Sequence, residues 1–162
     1  MNKLTRRNRS FWLVAILGII ADRLSKYIVV QKFADLGDTF PLWSGVFHFT
    51  YVINTGAAFS FFRGQVEILR WISLVVSVLL IIFVWRSPRL TLLEQLGYGF
   101  ILSGAIGNGI DRFFLGYVID FLDFRLINFP VFNIADVAIN IGVLLLLIAS
   151  FNTTQKPTRK NQ

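Results

Sequence analysis

The sequence contains no cysteine, one histidine and few charged residues. The absence of cysteine excludes disulfides, thiolate nucleophiles and cysteine-based metal sites, and one histidine cannot form a zinc site of the HExxH type. Charged residues make up 15% of the 162 positions and hydrophobic residues 55%, whereas about a quarter of an ordinary soluble domain is charged. This balance argues against a soluble globule and against disorder, and it indicates an integral membrane protein.

Four apolar runs are long enough to cross a membrane as helices. They occupy residues 11–30, 68–85, 92–110 and 134–151. A span needs ~20 mostly apolar residues, so four spans take up roughly half of the chain. Only short tails and connections remain. The sequence therefore predicts an all-α membrane protein with four transmembrane helices, folded as one domain over residues 1–162.

Basic residues are distributed asymmetrically about these runs. They concentrate in the two tails and in the short connection after the second run: Lys3, Arg6, Arg7, Arg9, Arg86, Arg89, Lys156, Arg159 and Lys160. Because connections rich in Lys and Arg stay in the cytoplasm, both termini are predicted to be cytoplasmic. The net charge of +7 then reflects membrane anchoring, and no nucleic-acid partner is expected.

The longer connections, 31–67 and 111–133, are then expected outside the membrane. Residues 46–53 are mostly β-branched or aromatic, which predicts a small extracytoplasmic β-rich platform. Polar side chains converge near the outer ends of the runs: Asp22, Asn54, Asn108, Asp111, Asp120 and Asp136. An ionisable residue within the bilayer costs about 2.5–3.5 kcal/mol and usually serves a function. We therefore expect a site near the outer leaflet.

Carboxylates are the groups best suited to chemistry at this site. A Ser–His–Asp triad would need His48, which lies in the apolar β-like stretch and is expected to pack there. Two carboxylates in one poorly solvated pocket cannot both ionise cheaply. One therefore stays protonated as an acid while the other activates water as a base. This is the logic of an aspartic protease, and it requires no metal and no cofactor.

The residues alone leave the partner of Asp136 open between Asp111 and Asp120. Asp111 precedes Arg112, and an ion pair between them would favour a structural role for Asp111. Asp120 has no adjacent base, and a helix break near Gly116 would turn it back toward the site. Asp123 is expected to face the surface.

A competing interpretation is a proton-coupled transporter or an assembly subunit. Such a protein would carry acidic residues near the bilayer midplane, on a path that reaches both faces. The inner halves of the four runs are nearly free of charge, and no inverted repeat is visible. The transporter interpretation is therefore the weaker of the two.

The sequence resembles the lipoprotein signal peptidases, the signal peptidase II family of bacteria, in five ordered blocks. These are DRLSK at 22–26, NTGAAF at 54–59, SGAIGNGIDR at 103–112, VIDF at 118–121 and FNIAD at 132–136. They follow the family patterns D-x-x-[ST]-K, N-x-G-A-A-F, G-G-A-x-G-N-x-x-D-R, V-V-D-F and F-N-x-A-D. Two positions depart from these patterns: Ser103 replaces a usual glycine, and Ile119 replaces a usual valine. Five blocks in order on a chain of this length make the resemblance specific.

The resemblance implies an intramembrane aspartic endopeptidase that removes signal peptides from prolipoproteins. Cleavage is expected just before a cysteine that carries diacylglycerol. The family motifs carry the catalytic pair over to Asp120 and Asp136, which favours Asp120 in the choice left open above. Substrate-binding or supporting roles are implied for seven further residues: Asp22, Lys26, Asn54, Asn108, Asp111, Arg112 and Asn133. A monomer in the bacterial plasma membrane is expected, with the lipidated precursor and membrane lipid as its partners.

Overall fold

The protein is described here by a computed structural model that covers residues 8–56 and 64–154. Its long helices are α1 (Arg9–Lys32), α2 (Val66–Arg86), α3 (Leu92–Phe114) and α4 (Ile134–Thr154). Its strands are β1 (Thr39–Trp43), β2 (Phe47–Asn54) and β3 (Val118–Phe124). The prediction of a mostly helical protein with a small β platform is confirmed, and each apolar run lies within one helix. Residues 57–59 of the NTGAAF block and the basic residues 3, 6, 7, 156, 159 and 160 lie outside the described residues.

Two of these helices are long and apolar enough to cross a membrane, Val66–Arg86 and Ile134–Asn152. The apolar sequence of α1 is interrupted by the charged residues Asp22, Arg23 and Lys26. The helix α3 carries several glycines and polar residues near its end. Length and composition therefore support α2 and α4 as spans. The four-span count stays a prediction.

The helix α3 is the centre of the bundle and packs against α1, α2 and α4. Its start is fixed by a capping box, in which the Thr91 side chain accepts from the Glu94 backbone and the Glu94 side chain accepts from Thr91. Close approach of the neighbouring helices requires glycine. A Cβ on Gly104 would lie 2.3 Å from the Ala135 carbonyl oxygen, and one on Gly107 would lie 2.6 Å from the Asp22 carboxylate.

The helix α3 ends close to Gly116, where the sequence predicts a helix break. The helix ends at Phe114, and Gly116 follows with φ of +80°, a conformation that favours glycine. The chain then enters β3, which pairs antiparallel with β2, and β2 pairs antiparallel with β1. The sheet packs against the end of α1 through Val29, Ile119 and Phe121. This reversal carries Asp120 back to the ends of α3 and α4.

Candidate active site

Asp120 is held in the middle of β3 by two amide side chains. The Asn54 Nδ2 donates to its Oδ2 at 2.8 Å, and the Asn133 Nδ2 donates to its Oδ1 at 2.6 Å. Asn54 ends β2 beside β3, so sheet pairing brings this donor into place. The Asp120 residue is only 1% exposed, and its carboxyl is therefore shielded from bulk water.

Asp136 is held by the first turn of α4. The Asn133 side chain accepts from the Asp136 backbone at 3.0 Å, and the Asn133 backbone donates to Asp136 Oδ2 at 3.2 Å. These two bonds form a reciprocal capping box, with Asn133 as the N-cap. The Asn108 Nδ2 donates to the other oxygen of Asp136 at 2.8 Å. The N-terminus of α4 favours a negative charge at this position.

The two carboxyl groups share one cavity and one amide. Both acids line a cavity of about 840 Å³, and Asn133 hydrogen-bonds to each of them. Burial, and secondarily the charge of Asp136, raise the pKa of Asp120 to about 7. A carboxyl that can stay protonated near neutral pH therefore lies in the same cavity as one that accepts hydrogen bonds on both oxygens. This is the arrangement that acid–base catalysis by two carboxyls requires.

The cavity combines a polar end with apolar walls. Its polar residues include Asn54, Asn108 and Arg112, and its apolar lining comes from the segment 129–132 and from α4. The Arg112 guanidinium donates to the Gly56 carbonyl at 3.2 Å, which ties the end of α3 to the end of β2. An apolar peptide with its backbone at the polar end suits this lining.

A buried cluster of charges supports the polar end of the cavity. The Lys26 Nζ lies 3.0 Å from Asp22 and 2.7 Å from Asp111, and Arg23 also pairs with Asp111. Lys26 is only 2% exposed. It also donates to Asn108 Oδ1 at 3.0 Å, which leaves the Asn108 Nδ2 to donate to Asp136. Lys26 thus fixes the orientation of the Asn108 amide, which donates to Asp136.

The same cluster anchors the segments that carry the two candidate catalytic acids. The Asp111 Oδ2 accepts from the Ile119 backbone at 3.3 Å, and the Asp22 Oδ1 accepts from the Ala135 backbone at 3.2 Å. Ile119 precedes Asp120, and Ala135 precedes Asp136. Asp111 therefore holds the backbone next to Asp120, and Asp22 holds the backbone next to Asp136.

Two sequence expectations were wrong. The described ion-pair partners of Asp111 are Arg23 and Lys26 and not Arg112, because adjacent residues on a helix point about 100° apart. Asp123 is buried rather than surface-facing. It accepts from Thr50 at 2.6 Å and from Arg125 at 2.7 Å. Burial alone would raise the pKa of Asp123, but the bonds from Thr50 and Arg125 and the Arg125 charge lower it.

His48 belongs to the sheet, as expected, and is not among the residues that line the cavity. Its Nδ1 lies 3.2 Å from the Thr39 hydroxyl, and the Gly45 backbone donates to its Nε2 at 3.3 Å. Sequence reasoning missed Arg23, although it lies inside the DRLSK block and next to Asp22. Among the described residues, no group of three or more His, Cys, Asp or Glu side chains could hold a metal ion.

The match to a family model is decisive for the identity of the chain. Residues 14–152 match the model described as signal peptidase (SPase) II. The chain belongs to the signal peptidase II family. This membership excludes the transporter interpretation as the chain's class, and it agrees with the cavity that contains two carboxyls.

Curated relatives of this signal peptidase II cover nearly its full length. The lipoprotein signal peptidase of Gloeothece citriformis is 65% identical over 156 residues, which are 94% of this chain and 98% of the relative. That of Synechocystis sp. is 68% identical over 145 residues, 90% of this chain and 89% of the relative.

Solved structures agree in fold. A bacterial membrane enzyme determined by the in meso method at 2.3 Å resolution gives a TM-score of 0.85 at 31% identity, over 94% of this chain and 93% of its own. A second bacterial membrane enzyme, determined by the same method at 1.9 Å, gives a TM-score of 0.76 at 32% identity, over 86% of this chain and 91% of its own.

Proposed function

We propose that Asp120 and Asp136 are the catalytic pair with which this aspartic-type signal peptidase II removes signal peptides from prolipoproteins. The observation that carries the proposal is the shared cavity, in which Asn133 hydrogen-bonds to both carboxyls. Two acids held by common donors keep a fixed separation. A water and a peptide bond can then be bound between them in one geometry.

Asp120 is the acid and Asp136 is the base in the proposed mechanism. The raised pKa of Asp120, about 7, supports a proton on that carboxyl in the resting enzyme. The N-terminus of α4 supports a negative charge on Asp136. Asp136 takes a proton from water as the water oxygen attacks the scissile carbonyl carbon, and Asp120 donates its proton to the carbonyl oxygen. As the tetrahedral intermediate collapses, the C–N bond breaks, Asp136 gives its proton to the leaving amine of the cysteine, and Asp120 recovers a proton from the intermediate's hydroxyl. The signal peptide then leaves with a free carboxyl group, and both acids return to their starting protonation states.

The surrounding polar residues have supporting roles. Asn54, Asn108 and Asn133 hold the two carboxyls by the hydrogen bonds described above. Arg112 lines the cavity with a guanidinium that already binds one backbone carbonyl, that of Gly56, and is suited to binding a substrate carbonyl. Asp22, Lys26 and Asp111 hold the segments that carry the pair.

The membrane arrangement extends this proposal. We propose one domain over residues 1–162, with four spans, cytoplasmic termini and the site near the outer leaflet of a bacterial plasma membrane. The positions of Asn108 and Asp136 near the ends of α3 and α4 that adjoin the sheet support a site toward one end of the bundle. Asp22 lies just past the middle of α1, in the half nearer the sheet. A lipid anchor on the substrate cysteine, just after the cleaved bond, would hold that bond at the same depth. A monomer suffices, because all of the site residues come from one chain.

The test is cleavage of a purified diacylglyceryl precursor by full-length variants in lipid. Asn is nearly isosteric with Asp but cannot ionise. Asp120→Asn and Asp136→Asn should each abolish cleavage while the thermal unfolding temperature stays near that of the native protein. Because the two acids act as a unit, the double variant should be no worse than either single one.

Asp35→Asn is the matched control, because Asp35 is exposed in the turn after α1 and does not line the cavity. It should cleave at the native rate. Asp111→Asn should lower the unfolding temperature together with activity, because Lys26 and Arg23 lose a buried partner. Turnover by a folded Asp120→Asn, with a dead but equally stable Asp111→Asn, would move the catalytic role to Asp111.

A further inference from the structure

Asn140 is a polar residue in an otherwise apolar part of α4. It is the only polar side chain between Val137 and Ala149, and it is exposed rather than packed inside the bundle. It also lines the cavity that contains the two candidate catalytic acids. At 1.5 Å per residue, it lies about 6 Å further along α4 than Asp136, on the side away from the sheet.

Within residues 8–56 and 64–154, Asn140 makes one side-chain hydrogen bond. Its Nδ2 donates to the Asp136 carbonyl at 2.9 Å. An asparagine amide has a second N–H and two lone pairs on its oxygen, and no described residue pairs with them. A polar group at membrane depth without partners is costly. An amide facing the catalytic cavity is therefore suited to binding something that enters it.

The substrate brings unpaired backbone groups to this depth. In the proposed orientation, the signal segment enters from the cytoplasmic side as a helix and ends at the cleaved bond near the outer leaflet. A helix cannot continue through that bond, because attack requires a free carbonyl. The last four carbonyls of a helix have no partner within it, and in lipid they must be satisfied by other groups. These carbonyls lie just deeper than the cleaved bond, level with Asn140.

We propose that Asn140 is a substrate-binding residue that caps the C-terminal end of the signal helix. Its free N–H donates to one of the last helical carbonyls, and its oxygen accepts from a backbone N–H where the peptide becomes extended. This inference rests on the proposed function and on its membrane orientation. Capping by Asn140 would end the signal helix within one turn of the cleaved bond through backbone contacts alone, so this contact would not depend on the side chains of the signal segment.

Asn140→Leu tests the proposal, because leucine has a similar volume, suits lipid and cannot hydrogen-bond. Loss of one hydrogen bond to a group left unpaired should reduce kcat/KM by about 5- to 160-fold. The loss should appear mainly in KM, because the bond is made away from the reacting atoms. The unfolding temperature should stay the same or rise. Asn152→Leu is the matched control, since Asn152 is exposed about 18 Å further along the same helix and lies outside the cavity.

A second measurement uses the native enzyme and does not depend on a folded variant. In a series of semisynthetic lipidated precursors, each of the last four helical carbonyls of the signal segment is replaced singly by a thiocarbonyl, a weaker acceptor. One position should raise KM several-fold with the native enzyme, and the same position should have no further effect with Asn140→Leu. Equal responses at all four positions would overturn the proposal.

The outcomes separate this inference from the catalytic proposal. Native kinetics for Asn140→Leu, with inactive Asp120→Asn and Asp136→Asn, would overturn the capping role and leave the catalytic pair intact. A fall in kcat alone, with a lowered unfolding temperature, would show that Asn140 serves α4 rather than the substrate. Activity in both Asp→Asn variants would instead refute the catalytic pair.

Discussion

Replacement of Asn54 by leucine should move the pH profile of cleavage in a defined direction. If Asp120 must be protonated as the acid and Asp136 ionised as the base, the pH profile of kcat/KM should be bell-shaped. Activity should fall at low pH where Asp136 becomes protonated, and it should fall at high pH as the pH rises through the pKa of Asp120, about 7. The Asn54 amide donates to Asp120 at 2.8 Å and so favours the ionised carboxylate. Asn54→Leu removes that donor and should raise the pKa of Asp120 further.

The size of the change follows from one hydrogen bond to a charged acceptor. Such a bond contributes about 1.5–3 kcal/mol, and one pH unit corresponds to about 1.4 kcal/mol. The pH at which activity falls on the alkaline side should therefore increase by about one to two units. The variant is expected to be slower than the native enzyme at pH 6 and to lose less of its activity between pH 7 and 9.

The assay is the pH dependence of kcat/KM for a purified lipidated precursor, with unfolding temperatures measured at each pH. Asn54 also accepts from the Gly56 backbone at 2.9 Å, so some stability is expected to be lost at all pH values equally. Asn152→Leu should leave the profile unchanged. Activity that rises as pH increases through 7, or a fall that moves to lower pH in Asn54→Leu, would refute the assignment of Asp120 as the acid.

Three further predictions concern stability and cofactors. Lys26→Met should lower the free energy of unfolding by about 3–5 kcal/mol, because Asp22 and Asp111 both lose a buried partner. A native unfolding temperature would show that the cluster is solvated. Because the pKa of Asp120 lies above its unfolded value of 3.8, the contribution of Asp120 to native stability should be greatest below about pH 4 and should be lost as the pH rises to about 7. Asp120→Asn should remove the part of the pH dependence of stability that comes from Asp120. If denaturant titrations showed the same pH dependence in this variant as in the native protein, the raised pKa of Asp120 would be contradicted. Chelators should leave cleavage unchanged, and activity restored by a divalent metal after EDTA would contradict a two-carboxyl mechanism.

The helices and the set of polar residues could be predicted from the sequence because each depends on local information. A long apolar run specifies a helix in lipid whatever surrounds it, and α2 and α4 follow their runs within a few residues. The convergence of Asp22, Asn108 and Asp136 followed from their depth along the helices, which is set by the rise per residue.

The strand β3 and the partners of Asp111 depended on tertiary structure. The residues of β3 lack regular alternation, because Asp120 and Asp123 are both buried and are satisfied by neighbours distant in sequence. Arg112 follows Asp111 in sequence, but the cations that reach Asp111 come from α1, which is 88 residues away in the case of Arg23. Side-chain direction on a helix decided this pairing, and proximity in sequence did not.

The capping box of Asn133 and Asp136 couples the start of α4 to the assembly of the proposed catalytic pair. If the first turn of α4 unwinds, Asp136 loses its backbone bonds and Asn133 releases Asp120 at the same time. Activity should therefore be lost cooperatively when this turn frays, under conditions in which the rest of the bundle stays folded. A small molecule that binds and stabilises the frayed turn would inhibit the enzyme without touching either carboxyl. Such an inhibitor would be recognised by faster hydrogen exchange at the backbone amides of residues 135–137.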